Sequence, residues 1–168
     1  MNALRGTAPG RRGVLLLGMV AALAACGSTA EKADGDNVRS DTEPLERRFP
    51  AFGPLSDAHW LGFALGEQSR VPAPGPTDIR VVGFAQLRHG AGAAIIAAGE
   101  RHFQPEAPGP LPGPLADFTP QGANWVRSAS FDVEMTRDNY PGAFYLDPAS
   151  DRVCFDTMNP SAATDAVP

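Results

Sequence analysis

Asp57-Ala58-His59-Trp60 is the short string whose neighbouring side chains could do acid–base chemistry. On an extended strand side chains alternate, so Asp57 and His59 fall on one side. A carboxylate beside an imidazole orients the ring and lets it act as a general base. That pair would serve a small hydrolase. Ser56, Ser69, Ser128 and Ser130 are the hydroxyls on offer, and none sits in a Gly-x-Ser-x-Gly elbow. The plainer reading, and the preferred one, is an ion pair at a strand edge beside a core tryptophan. His59 and Asp57 are the only catalytic candidates retained.

Other reactive side chains are scattered. A zinc centre takes three or four ligands, often with two at short spacing. His59, His89 and His102 lie far apart, and no Cys-x-x-Cys accompanies them. No metal and no cofactor is expected. Cys154 lies between Val153 and Phe155 in an extended run and reads as an inert, half-buried thiol. If 129–135 is extended, Asp132 and Glu134 share a face, while Asp147 and Asp151 meet across a turn. Paired carboxylates can hydrolyse glycosides, but solvated faces and turn acids account for these. Trp60, Trp125, Phe144 and Tyr145 could line a groove and are read as core.

The elements that must position these residues follow from periodicity. Leu61, Phe63 and Leu65 alternate with Trp60, Gly62 and Ala64, which predicts a strand over 58–65. The run 78–87 alternates again, with Ile79, Val81, Gly83, Ala85 and Leu87 on one face. Ala91 to Ala98 predicts a short helix stopped by Gly99. Proline and glycine make 66–77 and most of 104–122 loop, with one helical turn at Leu115–Phe118. These loops are where a partner could be gripped. Residues 124–127 and 129–135 read as extended. Two aromatic runs, 142–146 and 152–156, flank Asp147-Pro148-Ala149-Ser150-Asp151 and predict a hairpin. Few helices beside a mainly antiparallel sheet make a small, loop-rich α+β domain.

The N-terminus carries an address. Arg5, Arg11 and Arg12 precede an apolar stretch from Val14, and Leu23-Ala24-Ala25-Cys26 follows. Basic, then apolar, then small residues is the order of a secretory signal. Val14 to Ala25 would make about 18 Å of helix, short of the ~30 Å a hydrocarbon core demands. Leu23-Ala24-Ala25-Cys26 resembles the bacterial lipobox. That resemblance implies cleavage before Cys26 and a diacylglyceryl thioether on Cys26 with palmitate-type chains. Two such chains give stable anchoring where one gives marginal binding. Arg11-Arg12-Gly13-Val14-Leu15 resembles a twin-arginine signal, but adjacent arginines also suit an ordinary secretory start, and both export routes stay open.

The expected organisation is a signal peptide at 1–25, a lipidated Cys and flexible tether at 26–48, one α+β domain at 49–160 and a frayed tail at 161–168. Asp34-Gly35-Asp36 lacks the ligand spacing of a calcium loop and reads as solvated linker. The chain carries −5 overall, and its first 25 residues hold three arginines and no acid, which leaves −8 beyond them. So acidic a domain does not suit nucleic acid. It would also be repelled by anionic headgroups, so the lipid on Cys26 is the link to the membrane. Val71-Pro72-Ala73-Pro74-Gly75-Pro76-Thr77-Asp78, Asn124-Trp125-Val126-Arg127-Ser128 and Phe144-Tyr145-Leu146-Asp147 are similar to stretches of small lipoproteins of actinobacterial type. That resemblance brings no activity and no catalytic residue. The expectation is a lipid-anchored protein on the extracytoplasmic face of the cell membrane, non-enzymatic, binding a protein or envelope component. The alternatives are a small envelope hydrolase using His59 with Asp57, and an inhibitor or immunity-type protein with one protein partner.

Overall fold

The computed structural model describes residues 37–65 and 78–161. The signal peptide with Arg11, Arg12, Leu23, Ala24 and Ala25, the lipidation site Cys26, the tether as far as residue 36, the loop 66–77 and the tail from 162 lie outside the described residues. Among the described residues no helix is long and apolar enough to cross a membrane.

The domain is α+β. Its sheet is built from β1 (Ser56–Ala64), β2 (Ile79–Gln86), β3 (Gln104–Pro105), β4 (Val126–Arg127), β5 (Gly142–Asp147) and β6 (Arg152–Met158). The spatial order is β1-β2-β6-β5-β4-β3, and every neighbouring pair is antiparallel. The helices α1 (Glu43–Arg48), α2 (Ala91–Ala97) and α3 (Ala129–Thr136) are short, as are the 3-10 turns Pro50–Phe52 and Gly113–Phe118.

Both sheet faces are covered. Trp60, Val81, Ala85, Phe144, Leu146, Val153 and Phe155 meet Leu45, Phe49, Phe52 and Phe131 on the helical side. Leu61, Val82, Phe84, Tyr145 and Cys154 meet Leu115 on the other, with Leu111, Trp125 and Val38 packed against them. The proline-rich 104–122 segment is therefore partly a lid of core. Trp60, Phe144 and Tyr145 are core, as expected, and Trp125 stacks on Phe84 at 6.2 Å. The strands β1 and β2, the helix α2 and the β5–β6 hairpin lie where periodicity places them.

Residues 129–135 are a correction. Ala-Ser-Phe-Asp-Val-Glu-Met alternates apolar and polar as a half-buried strand would, yet the segment is the helix α3. Ser128 caps it, its hydroxyl accepting from Phe131 N at 3.3 Å. Asp132 then turns inward, accepting from Phe144 N at 2.8 Å and Arg127 Nε at 2.7 Å. Val133, which a strand would bury, is 50 % exposed. Asp132 and Glu134 share no face. Asp132 braces β5, and Glu134 pairs with Arg101 at 2.5 Å.

The domain also begins before residue 49. Arg39 and Trp60 exchange backbone hydrogen bonds of 2.8 and 3.0 Å, and Leu45 of α1 is fully buried. The stretch 38–48 drawn as tether is part of the fold. Leu45→Ala should cost about 2–3 kcal/mol in denaturant unfolding, the lower part of the range for a buried leucine. A leucine on a solvated tether would cost nothing.

Candidate functional site

Asp57 and His59 meet. His59 Nε2 lies 3.2 Å from Asp57 Oδ1. The cause is a bulge, not simple alternation: the β1–β2 register shifts between Ser56 and His59, and Asp57 has φ 43°. An extra residue in the left-handed region swings the carboxylate back under the ring. Asp57 is also held by Arg152 Nη2 at 2.7 Å. Arg152 first, and His59 second, keep its carboxyl below the usual range. His59 is stacked on Phe118, centroids 4.2 Å apart and 16° from parallel.

Phe118 and Arg152 lie on the wall of a polar cleft of about 430 Å³, shared with Asp117, Gln121, Asn124, Asp147 and Ser150. His59 and Asp57 are not among the residues that line it. The hydroxyls of a hydrolase are employed elsewhere. Ser128 caps α3 and bonds Ser130 Oγ at 2.9 Å, while Ser150 donates to Asp147 at 2.6 Å. Ser56 makes no bond to His59, and Ser69 lies outside the described residues. With Asp57 shared between Arg152 and the ring, the geometry braces the start of β1 against the β5–β6 hairpin.

Asp147 and Asp151 likewise serve the turn. Asp147 accepts from Ala149 N at 3.1 Å. Asp151 accepts from Gly90 N at 2.8 Å and Gly92 N at 3.0 Å, which ties the hairpin to the start of α2. The Gly90 amide holds the Asp151 carboxyl below its usual range. A carboxyl whose folded pKa is depressed lends stability above its unfolded pKa of about 3.9 and loses it as pH falls through the folded value. The stability gap between the parent and Asp151→Asn should therefore be widest above about pH 5 and shrink steadily below pH 4. A gap that stays constant down to pH 2 would show that the charge is irrelevant.

Among the described residues, no group of three His, Cys, Asp or Glu is placed to hold a metal ion. Cys154 is fully buried, and burial pushes its thiol far up. Such a thiol is a core residue, not a nucleophile.

A different place carries unmet polar groups. Arg48, at the end of α1, and Tyr140, on the chain entering β5, line a cavity of about 210 Å³ with Pro50, Met135 and Arg137. Arg48 Nε and the Tyr140 hydroxyl are buried and have no hydrogen-bond partner among the described residues. Arg48 spends Nη1 on the Pro44 carbonyl at 2.9 Å and pairs with no carboxylate among the described residues. Burial lowers its pKa, and Arg47 and Arg39 lower it further. Asp41, which acts on it favourably, is claimed by Arg39 at 2.7 Å. Glu134 also lines the cavity and is claimed by Arg101. Burial raises the Tyr140 phenol, against the pull of Arg137 and Arg48.

Sequence reasoning missed this site. Arg48 fell at the end of the expected tether at 26–48, Tyr140 fell between the expected elements, and nothing local links them. A doubled arginine directly before the buried Phe49 was the available signal, since only a folded segment would need it there. Comparison with family models, with curated proteins and with solved structures finds no match to this chain.

Proposed function

We propose that this is a lipoprotein held on the extracytoplasmic face of a membrane through a lipid on Cys26, and that its α+β domain is a non-enzymatic binding module. The observation that carries the binding half is the cavity at Arg48 and Tyr140. Its wall carries two guanidinium groups, those of Arg48 and Arg137, beside the apolar surface of Pro50, Ala51 and Met135. Concave sites of that mixed character are where small ligands bind. The anchoring half rests on Leu23-Ala24-Ala25-Cys26, the basic start and the short apolar stretch before it.

A second reading, the envelope hydrolase, draws on the 3.2 Å contact between His59 and Asp57 beside the polar cleft. The Arg152 ion pair and the Phe118 stack weigh against it, because both hold the pair in a structural role.

Three measurements test the proposal. Cys26→Ala should release the protein from the membrane fraction. The mature parent should offer no thiol to an alkylating reagent when folded and only Cys154 once denatured, because a thioether blocks the other of its two cysteines. A second reactive thiol after denaturation, or a Cys26→Ala chain still in the membrane, would remove the anchor from the proposal. For the binding half, a thermal-shift screen against sugars, peptidoglycan fragments, nucleotides and small acids should find a stabiliser. A ligand at ~100 times its dissociation constant adds about 2.7 kcal/mol.

A further inference from the structure

We infer that the polar cleft beside Phe118 binds a neutral sugar ring, a C–H face of the sugar against Phe118 and its hydroxyls against the polar wall, an inference that rests on reading the domain as a binding module. Packing does not account for Phe118. Leu115 of the same 3-10 turn is fully buried and anchors the segment. Phe118 belongs to neither core cluster, is 38 % exposed and lines the cleft. Its ring is nonetheless held still. One face is stacked on His59 at 4.2 Å and 16° from parallel. His59 is in turn fixed by Asp57 at 3.2 Å, and Asp57 by Arg152 at 2.7 Å. The surface of Phe118 that stays exposed is thus a backed, rigid apolar platform on the wall of a polar cleft. The hydrogens on a sugar's C–H face are weakly positive and an aromatic face is negative, so the two stack.

The rest of the wall sets the class. Asp117 and Asn124 are exposed lining residues whose side chains make no hydrogen bond or ion pair among the described residues. A ligand in the cleft can therefore reach them. Asn124 offers donors and an acceptor, Asp117 offers acceptors, and Arg152 keeps donors beyond the Nη2 it gives to Asp57. A hydroxyl both donates and accepts, so a ring of hydroxyls suits such a mixture. Charge narrows the ligand to a neutral one. Asp117 and Asp147 repel an anion, and the cation on the wall, Arg152, is already paired with Asp57. A cationic ligand would meet the Arg152 charge and bring no acceptor for the amide donors of Asn124. The volume of about 430 Å³ falls within the roughly 300–1,000 Å³ of small-ligand sites.

The test is saturation-transfer NMR on the full chain in a sugar-free detergent. The probes are the methyl pyranosides of glucose, galactose, mannose and N-acetylglucosamine, with glucuronate as the charged comparison. At least one neutral glycoside should take up saturation, most strongly at its ring C–H protons, and bind about tenfold or more tightly than glucuronate. Phe118→Ala should weaken that glycoside about tenfold through the lost stack, and Phe118→Tyr should retain it. Asn124→Ala should weaken it about three- to tenfold, with the melting temperature unchanged because the side chain is exposed and unbonded. If Phe118→Ala does not fold, Asn124→Ala and the comparison with glucuronate decide the matter. No binding of any neutral glycoside, glucuronate bound as tightly as the best of them, or affinity unchanged in either alanine variant would each overturn the inference. The module reading falls separately, only if the nucleotides and small acids of the wider thermal-shift screen also stabilise nothing.

Discussion

Gly83→Ala is expected to unfold the domain or to cost about 3 kcal/mol or more, at the upper end of overpacking penalties. Gly83 sits on β2 between Trp60 of β1 and Phe155 of β6. A Cβ there would overlap the His59 carbonyl oxygen and lie 2.5 Å from Trp60 Cβ and 2.6 Å from Trp60 Cα. Two of those atoms are backbone, so no side-chain rotation relieves the clash. The neighbouring strand would have to move, and Trp60 cannot. Its backbone bonds Arg39, its indole Nε1 donates to the Asp41 carbonyl at 2.9 Å, and the Arg39 guanidinium lies 4.3 Å over its ring. Gly62→Ala is the control. There the new Cβ meets a ring carbon of Trp60 at 3.3 Å and little else. Glycine to alanine in a strand otherwise gains about 0.5–1 kcal/mol of backbone entropy. Gly62→Ala should therefore cost far less than Gly83→Ala, about 1 kcal/mol or under, the entropy gain offsetting much of the tight ring contact. Urea denaturation of both variants separates the cases, and equal costs would show that the close approach at Gly83 is not what limits the site.

That close approach was half legible. The alternation of Ile79, Val81, Gly83, Ala85 and Leu87 already put Gly83 on a core-facing surface among larger residues. Only the register shows that Trp60 of the next strand fills the space. The same division runs through the fold. β1, β2, α2 and the terminal hairpin could be read because burial on one face writes its period into the chain. The helix α3 could not, because Phe131, Val133 and Met135 alternate with acids and mimic a strand. What decides it is tertiary: the Asp132 carboxylate finds the Phe144 amide only if the segment coils. The helix α1 was hidden for the opposite reason. Glu43-Pro44-Leu45-Glu46-Arg47-Arg48 offers one apolar residue, too little pattern to separate a docked helix from a charged linker.

The candidate sites divide in the same way. Asp57 and His59 are near neighbours in the chain, so their meeting was foreseeable, although a bulge and not alternation brings it about. Arg152, which claims Asp57 from the far end of the domain, was not foreseeable. Arg48 and Tyr140 line one cavity because the end of α1 and the chain entering β5 both lie against the aromatic core cluster. Their shared property, donors without acceptors, exists only in three dimensions.

Phe144→Ala is expected to cost about 3–5 kcal/mol, a large share of the 5–15 kcal/mol that holds a typical domain together. Phe144 is fully buried at the joint where the helical layer meets the sheet. Its ring meets Phe49 at 5.3 Å, Phe52 at 5.7 Å and Phe131 at 6.3 Å, all edge-on. Its amide is the donor to Asp132. One side chain thus ties the end of α1, the following 3-10 turn and α3 to β5. Cutting it to a methyl leaves a cavity that three separate segments would have to close together, and each is also pinned to the sheet by other contacts. The loss should exceed that of Leu45→Ala, which releases one short helix. Val133→Ala supplies the contrast within α3, since that side chain is half exposed and should cost under about 0.5 kcal/mol. If Val133→Ala proved as damaging as Phe144→Ala, residues 129–136 would have to bury the alternating face of a strand, and the helix would be wrong.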